Sequence, residues 1–467
     1  MNPFRNILRL SAGDFLAKTL NFLAFVYLAR VLGVALYGVL EFAISILTYF
    51  LLLADGGLEL WATREAAQGR DLRELAARVV PLRFVLAVGA FGALLTILPA
   101  LPDYPALKTI LVTFGLTLFA QAANLKWVFM GQEKMMRVAT GLVVAQIVFA
   151  LAVFGFIHSP AGIVWVPVLR LAADLAMAVY FVRLFAAEHG SLRLPLTLRG
   201  ARNVLRPALT MGASHGLALV NYNFDSVLLG LLLGPTAVGW YNAGYKPVTV
   251  ALAMPVTYFL GLFPALSRTY AERREAFREI VVRSLRLTPI FALPLGVGGT
   301  FLAEPIIGLL FGPTYANSVP ALQVLSWSAV LVILRGTYRQ ALNAAGKPWL
   351  DLRCAGASAA LNLGLNLLFI PRYGIIGAAV ATLVAELIWL TMASYYFYHY
   401  VIRVKVLPFL LQPVAAAVAM GICFLLAQSL FWGLRAFLGA VVYLGVLMLL
   451  GQTEVRSWVQ TRKVRVL

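Results

Sequence analysis

The chain has 467 residues, 61% of them hydrophobic and only 12% charged, with a mean hydropathy of +0.87. Soluble domains run at about 45–50% apolar and about 25% charged, so this composition excludes an ordinary soluble enzyme or binding module. The formal charge of +19 invites a nucleic-acid reading, but the charges fall in short loops between apolar runs, so nucleic acid has no place as a partner.

A spanning helix needs roughly 20 apolar residues. Fourteen stretches qualify: 10–30, 38–60, 80–100, 107–130, 138–158, 162–186, 207–233, 237–262, 285–304, 320–343, 354–371, 375–399, 407–429 and 436–452. Short tilted or re-entrant pieces would make the count twelve. The fold class is therefore an all-α polytopic membrane protein. The first span is no cleavable leader, because its apolar stretch is too long and Asp14 and Lys18 interrupt it. Residues 64–79 and 265–284 are charged and amphipathic, the latter with Phe277, Ile280 and Val281 at helical spacing. Both read as helices lying on the membrane surface. Residues 187–206, with Pro195 and Gly200, read as a basic linker. The longest outer loop, 305–319, is too small for a catalytic domain. Cys354 and Cys423 lie in apolar spans and imply neither a disulfide framework nor a metal site.

The loops alternate in charge. With the N-terminus inside, 27 Lys and Arg fall in cytoplasmic segments, among them Arg5, Arg9, Arg83, Arg278, Arg403 and Lys405. Outer segments hold four, Arg30, Lys108, Arg372 and Arg435. This is the positive-inside pattern, and it places both termini in the cytoplasm with an even number of spans.

The chain also repeats. Residues 28–39 (LARVLGVALYGV) are similar to 229–240 (LGLLLGPTAVGW), matching Gly33 to Gly234 and Gly38 to Gly239 at an offset of 201. Gly131 matches Gly346, and Gly162 matches Gly377, at an offset of 215. The reading is two parallel six-span repeats, 1–200 and 201–400, followed by spans 13 and 14 with a cytoplasmic tail over 401–467. Parallel repeats of this kind occur among transporters.

These glycine-centred stretches carry a resemblance that covers nearly the whole chain. They are LARVLGVALYGVLEF after the basic N-terminus, residues 225–246 (DSVLLGLLLGPTAVGWYNAGYK), 262–270, 310–328, and 343–386 beginning NAAGKPWLDLRCAG. In order and spacing the chain resembles the polysaccharide transporter branch, the Wzx-like oligosaccharide flippases, of the multidrug/oligosaccharidyl-lipid/polysaccharide (MOP) superfamily. The resemblance implies two lobes around a central cavity. It also implies export of lipid-linked sugars for O-antigen, capsule or exopolysaccharide.

Ten ionisable residues sit toward the middle of the spans: Asp14, Lys18, Lys126, Arg170, Asp174, Asp225, Lys246, Arg335, Arg339 and Glu386. Charges in hydrocarbon are costly and mark partners, water or substrate. Asp14 with Lys18, and Arg170 with Asp174, are i,i+4 pairs, read either as internal ion pairs or as groups lining the cavity. Arg335, Tyr338 and Arg339 share one face of span 10. Two arginines cannot neutralise each other, so they need acids from other helices or an anion, and guanidinium forks suit phosphate. The competing reading has Arg339 snorkelling to the headgroups. Asp225 and Lys246 are placed to pair across a lobe; Lys126, near a span end, reads as snorkelling. Glu386 has no partner legible in the sequence and is a candidate for ion coupling, with Asp14 and Asp174.

Setting aside the two i,i+4 pairs leaves four cations against two acids, a positive interior that favours a diphosphate headgroup. Asn221, Tyr222, Asn223, Tyr241, Asn242, Tyr245 and Tyr338 are candidate sugar contacts or, more plainly, interhelical packing groups. Pro247, Pro255, Pro289 and Pro294 with Gly296, Gly298 and Gly299 mark kinks in spans 8 and 9.

His158, His189, His215 and His399 are scattered, and HExxH and GxxxxGK[ST] are absent. The sequence thus predicts no enzyme, no cofactor and no ATP-driven step. The expected function is a flippase of undecaprenyl-diphosphate-linked oligosaccharide in the bacterial inner membrane, working by alternating access. Its partners are the lipid-linked substrate, membrane lipids and polysaccharide assembly proteins. The rivals are a cation-coupled drug exporter on the same fold, which wants an acidic cavity, and a membrane polymerase or ligase, which wants a larger outer loop.

Overall fold

The structure, a computed structural model, describes residues 3–191 and 201–451, with side chains from Gly13 onward except for 213–222. The predicted linker at Pro195 and Gly200, and the side chains of Arg5, Arg9, His215, Asn221 and Tyr222, lie outside the described residues. Seventeen α-helices and three short 3-10 turns are described, without strands. In chain order they are α1 (Pro3–Asp55), α2 (Leu58–Ala67), α3 (Leu72–Ile97), α4 (Leu107–Gly115), α5 (Thr117–Ala122), α6 (Lys126–Gly131), α7 (Met135–Phe156), α8 (Val166–His189) and α9 (Ala201–Leu232). Then come α10 (Pro235–Ala251), α11 (Ala253–Glu272), α12 (Arg274–Phe301), α13 (Ala303–Phe311), α14 (Val319–Ala344), α15 (Pro348–Tyr400), α16 (Leu407–Leu426) and α17 (Trp432–Leu449).

Nine of the described helices are long and apolar enough to cross a membrane. Two are double length. The 43 residues Gly13–Asp55 would extend about 64 Å as one straight helix, twice the roughly 30 Å of a hydrocarbon core. Each breaks at a glycine in non-helical conformation, Gly33 (φ 73°) in α1 and Gly374 (φ 59°) in α15. The chain reverses there. Ser358 Oγ donates to the Ala385 carbonyl at 2.9 Å, whereas a straight helix would hold them about 40 Å apart. In α1, Gly13 packs on Ala139 at one end, and just past the other end Glu59 pairs with Lys126 and Ala66 packs on Gly131. Both ends therefore meet the same stretch of chain. Counting each hairpin as two crossings, and adding the bent pair α10–α11 (41°) and the shorter apolar helices 107–122 and 223–232, the fold is consistent with fourteen predicted spans.

Two surface-helix expectations are corrected. Residues 265–272 finish α11, and 274–284 are the first turns of α12, which runs unbroken to Phe301 with Pro289 and Pro294 inside it. Only Arg273, in extended conformation (φ −147°), separates the two helices. Phe277 and Val281 are fully buried, so their helical spacing reports tertiary packing rather than a lipid-facing stripe. Residues 64–79 divide likewise. α2 ends at Ala67, Gly69 turns at φ +81°, and Asp71 starts α3 by accepting from the Arg73 N–H at 2.9 Å. The expected outer loop 305–319 is mostly α13 and a 3-10 turn over Pro313–Ser318.

The chain forms two compact units, Met1–Ala243 with Asn366–Ile375, and Gly244–Leu365 with Ile376–Leu467. The first buries Trp127, Phe129, Phe181 and Phe185. The second has one core around Phe277, Tyr338, Trp389 and Phe397 and another around Val297, Val330, Phe424 and Tyr443. Large apolar side chains face outward as well; Leu151, Leu411 and Leu426 are 67%, 61% and 81% exposed. Buried positions often carry small residues instead, as at Ala378, Ala379, Ala381 and Ala385. Apolar outside and small inside is the pattern of helices packed in lipid.

Candidate functional site

In the second unit, α14 presents Arg335 and Arg339 one turn apart. The chain reversal at Gly374 brings both ends of α15 to them. Arg335 Nε donates to Glu386 Oε2 at 2.6 Å and Nη2 to Oε1 at 3.4 Å. Its guanidinium lies 3.7 Å from the Trp389 ring centroid. Arg335 and Glu386 are 2% and 1% exposed, so the pair is sealed from solvent. Arg339 Nε donates to Asp351 Oδ2 at 2.9 Å, with the arginine side chain still 44% exposed. Tyr338 is buried beside them, packing on Phe397 and Tyr398. Glu386 is thus not partnerless, which corrects the sequence reading. Residues 335 and 386 meet only through the tertiary fold, and no periodicity connects them.

In the first unit, α2, α3 and α6 build a second network. Arg83 Nη2 lies 3.2 Å from Asp55 and 3.9 Å from Glu59, while Nη1 donates to the Asn124 carbonyl at 3.0 Å. Lys126 Nζ lies 2.7 Å from Glu59. Asp55 also accepts from the Gly57 and Glu59 N–H groups at 3.1 and 3.2 Å, fixing the turn into α2. Arg83 is 3% exposed, so it is an internal ion-pair partner rather than a loop cation. Lys126 is paired rather than reaching for the surface. The acids Asp55, Glu59 and Asp351 were missed because they lie at span boundaries, Asp55 and Glu59 in the last turns of the stretch read over 38–60 and Asp351 just before the one read over 354–371. Together with Glu386 they neutralise the four cations Arg83, Lys126, Arg335 and Arg339. With Lys246 and Asp225 counted as well, five cations face five acids, so the excess of four cations over two acids does not hold.

Asp225, on α9, is 2% exposed. Its carboxylate accepts from Tyr241 Oη at 2.8 Å and Asn366 Nδ2 at 2.6 Å, neutral donors from α10 and α15. Beside it, Asn242 Nδ2 donates to Ser226 Oγ at 3.0 Å. Tyr241 and Asn242 are thus packing groups in this structure. Lys246, on α10 in the second unit, is half-buried. Arg170 and Asp174 form the expected pair at 3.4 Å, with the acid 4% exposed and the arginine 5.6 Å from the Phe149 ring centroid. Asp14 and Lys18 pair at 2.7 Å and remain exposed on both side chains.

The repeated glycine motif has a geometric counterpart. Gly33 and Gly234 both break their helices at positive φ, 73° and 88°. A methyl group on Gly38 would strike the Pro235 carbonyl, and one on Gly239 would strike the Val34 carbonyl. At the offset of 201, Val34 corresponds to Pro235 and Gly38 to Gly239, so each copy packs against the other reciprocally, as in an isologous contact. The second pair of matches is looser. Gly346 turns at φ +72°, but the residue turning similarly between α6 and α7 is Glu133 (φ 57°), two positions past Gly131.

A multi-pass, all-helical chain with ion pairs buried between its helices is a polytopic membrane protein. The polysaccharide biosynthesis protein family matches residues 4–270, and the MatE family matches 199–368. The chain belongs to the polysaccharide biosynthesis protein family. It is 23% identical over 344 residues to a protein of Escherichia coli (strain K12) named for O-antigen transport, covering 72% of this chain and 81% of that one. It is 27% identical over 224 residues to a flippase-named protein of Haloferax volcanii, AglR, covering 47% and 45% of the two chains. The solved structure of the lipid II flippase MurJ, in an inward closed conformation, superposes with a TM-score of 0.80 at 14% identity, over 96% of this chain and 99% of that one. The fold is therefore one shared with the solved structures of MurJ and of a MOP-superfamily MATE transporter, the latter at a TM-score of 0.68 and 14% identity over 84% of this chain and 98% of that one.

Proposed function

We propose that this protein moves an undecaprenyl-diphosphate-linked oligosaccharide, a unit of O-antigen, capsule or exopolysaccharide, across the bacterial cytoplasmic membrane. The observation that carries this is membership of the polysaccharide biosynthesis family, joined to a relative named for O-antigen transport and matched over 72% of the chain. The fold shared with a protein titled a lipid II flippase supports the same reading. The lipid tail stays in the bilayer while the two six-span repeats, 1–200 and 201–400, alternate between inward-open and outward-open states. Spans 13 and 14 are appended to them, and both termini are cytoplasmic. The chain makes and breaks no bonds, and polysaccharide assembly proteins receive the product.

Among the cations weighed above, Arg339, Arg170 and Lys18 retain 44%, 31% and 49% side-chain exposure. Arg339 and half-buried Lys246, both of the second unit, are assigned to the diphosphate, and Arg170 and Lys18 are the candidates for the same chemistry within the first unit. Arg335 and Tyr338 stand behind Arg339 as its support. Asp225 is assigned to holding α9, α10 and α15 together beside the site. Asp14, Asp174 and Glu386 are the acids assigned to coupling with an ion gradient or the membrane potential.

The test is complementation. Expression in a bacterium deleted for its own flippase of lipid-linked oligosaccharide should restore surface glycan, and the Arg339→Ala variant should restore several-fold less at equal membrane abundance. Full restoration by Arg339→Ala would remove that residue from the site. The MatE match over 199–368 favours a second reading, a cation-coupled exporter of small cationic molecules. Raised drug resistance without glycan restoration would select it.

A further inference from the structure

A basic groove lies in the second unit, with none of the site candidates weighed above in its lining. It opens where the first turns of α12, the end of α15, the 401–406 connection and the start of α16 converge, and it encloses about 900 Å³. Arg278, Arg286, Arg403 and Lys405 line it against a single acid, Glu279. Its remaining wall is largely apolar, from Val282 to Phe409. Arg286 is half-buried, with its guanidinium 4.7 Å from the Phe409 ring centroid. Its Nε is buried with no hydrogen-bond partner among the described residues. An unmet buried donor costs about 1–3 kcal/mol, so the site is short of one acceptor.

We propose that this groove seats the phosphate of an anionic phospholipid headgroup. Four cations against one acid select an anion, and guanidinium forks fit phosphate oxygens. A lipid, rather than a free anion, follows from what adjoins the groove. Along α16, Leu407, Leu411, Val414 and Val418 are 69%, 61%, 44% and 57% exposed. Their i, i+4, i+7, i+11 spacing forms one apolar stripe leading away from the basic rim. A headgroup held at Arg286, Arg403 and Lys405 lays its acyl chains along that stripe. Basic pockets between spanning helices recognise lipid headgroups in this way.

The full chain, purified in neutral detergent and given equimolar phosphatidylglycerol and phosphatidylcholine, is examined by native mass spectrometry. Phosphatidylglycerol should be retained with about a tenfold preference, at roughly 1 kcal/mol per basic residue near a headgroup and with part of that spent on ordering. The Arg286→Ala/Arg403→Ala/Lys405→Ala variant should lose the preference. Lys108→Ala, which removes an exposed cation paired with Asp103 elsewhere, should keep it. Excess inorganic phosphate should leave the lipid bound. If the triple variant does not fold, Lys405→Ala alone, at an exposed position, should show a several-fold partial loss. Equal retention of both lipids, an unchanged preference in the groove variants, an equal loss in Lys108→Ala, or displacement by phosphate alone would each overturn the proposal.

Discussion

Arg335 shows how much of a membrane-embedded charge is decided by its neighbours. The side chain is sealed between Glu386 and the Trp389 ring. Removing one partner of a buried pair leaves an uncompensated charge and costs about 3–5 kcal/mol, whereas replacing both with apolar or neutral groups is often close to neutral. Arg335→Ala should therefore lower thermal stability in detergent sharply, and Arg335→Met with Glu386→Gln should recover most of it. Similar melting of the single and double variants would show that the pair is not coupled. In the first unit, Arg83→Ala should be as damaging, because it strands Asp55 beside Glu59. Glu59→Gln should cost less, since Lys126 is 25% exposed and can turn to water. Comparing the two melting temperatures checks the order. The sequence located the embedded cations well, because a charge inside an apolar run is visible by composition. It located their acids poorly, because Asp55, Glu59 and Asp351 sit at helix ends, where sequence cannot separate a loop residue from one turned inward.

At the scale of elements, the glycine motif is the most informative stretch. Gly38 and Gly239 are positions where one backbone meets another without room for a methyl group. Gly38→Ala and Gly239→Ala should each destabilise by about 1–3 kcal/mol, as overpacking does. By contrast Gly89→Ala, at an exposed helical position with nothing within 4 Å, should be neutral or slightly stabilising because alanine favours helix. Thermal shifts of the three variants in one detergent suffice, and equal shifts would count against the close approach. The helices themselves were largely legible, because long apolar runs fix where a chain crosses lipid. Their ends were less so. The charged stretch 265–284 satisfied the pattern of a surface helix, yet α12 carries its polar first turns straight into the span. Amphipathic spacing reports a buried face without saying whether protein or lipid covers it.

For the whole molecule, the side of the membrane assigned to each loop can be set against contacts, and in the second unit loops assigned to one side meet. Lys347 lies 5.1 Å from the Tyr400 ring, joining two loops assigned inside, and Arg435 donates to the Phe301 carbonyl at 3.0 Å, joining two assigned outside. In a variant lacking Cys354 and Cys423, an impermeant thiol reagent added to intact cells should label Lys108→Cys and spare Lys405→Cys until the cells are opened. The reverse pattern would invert the topology. The sequence assigns sides through its loop charges, whereas the division into Met1–Ala243 with Asn366–Ile375 and the remainder was not legible, because it follows contacts made by residues far apart in the chain. The reciprocal fit of Gly38 on Pro235 and Gly239 on Val34 bears on biogenesis. The first copy of the motif enters the bilayer about 200 residues before its counterpart is made, an interval of about 10–40 s at ordinary translation rates. Through that interval the notch at Gly38 stands open to lipid, and the nascent chain depends on whatever shields it there.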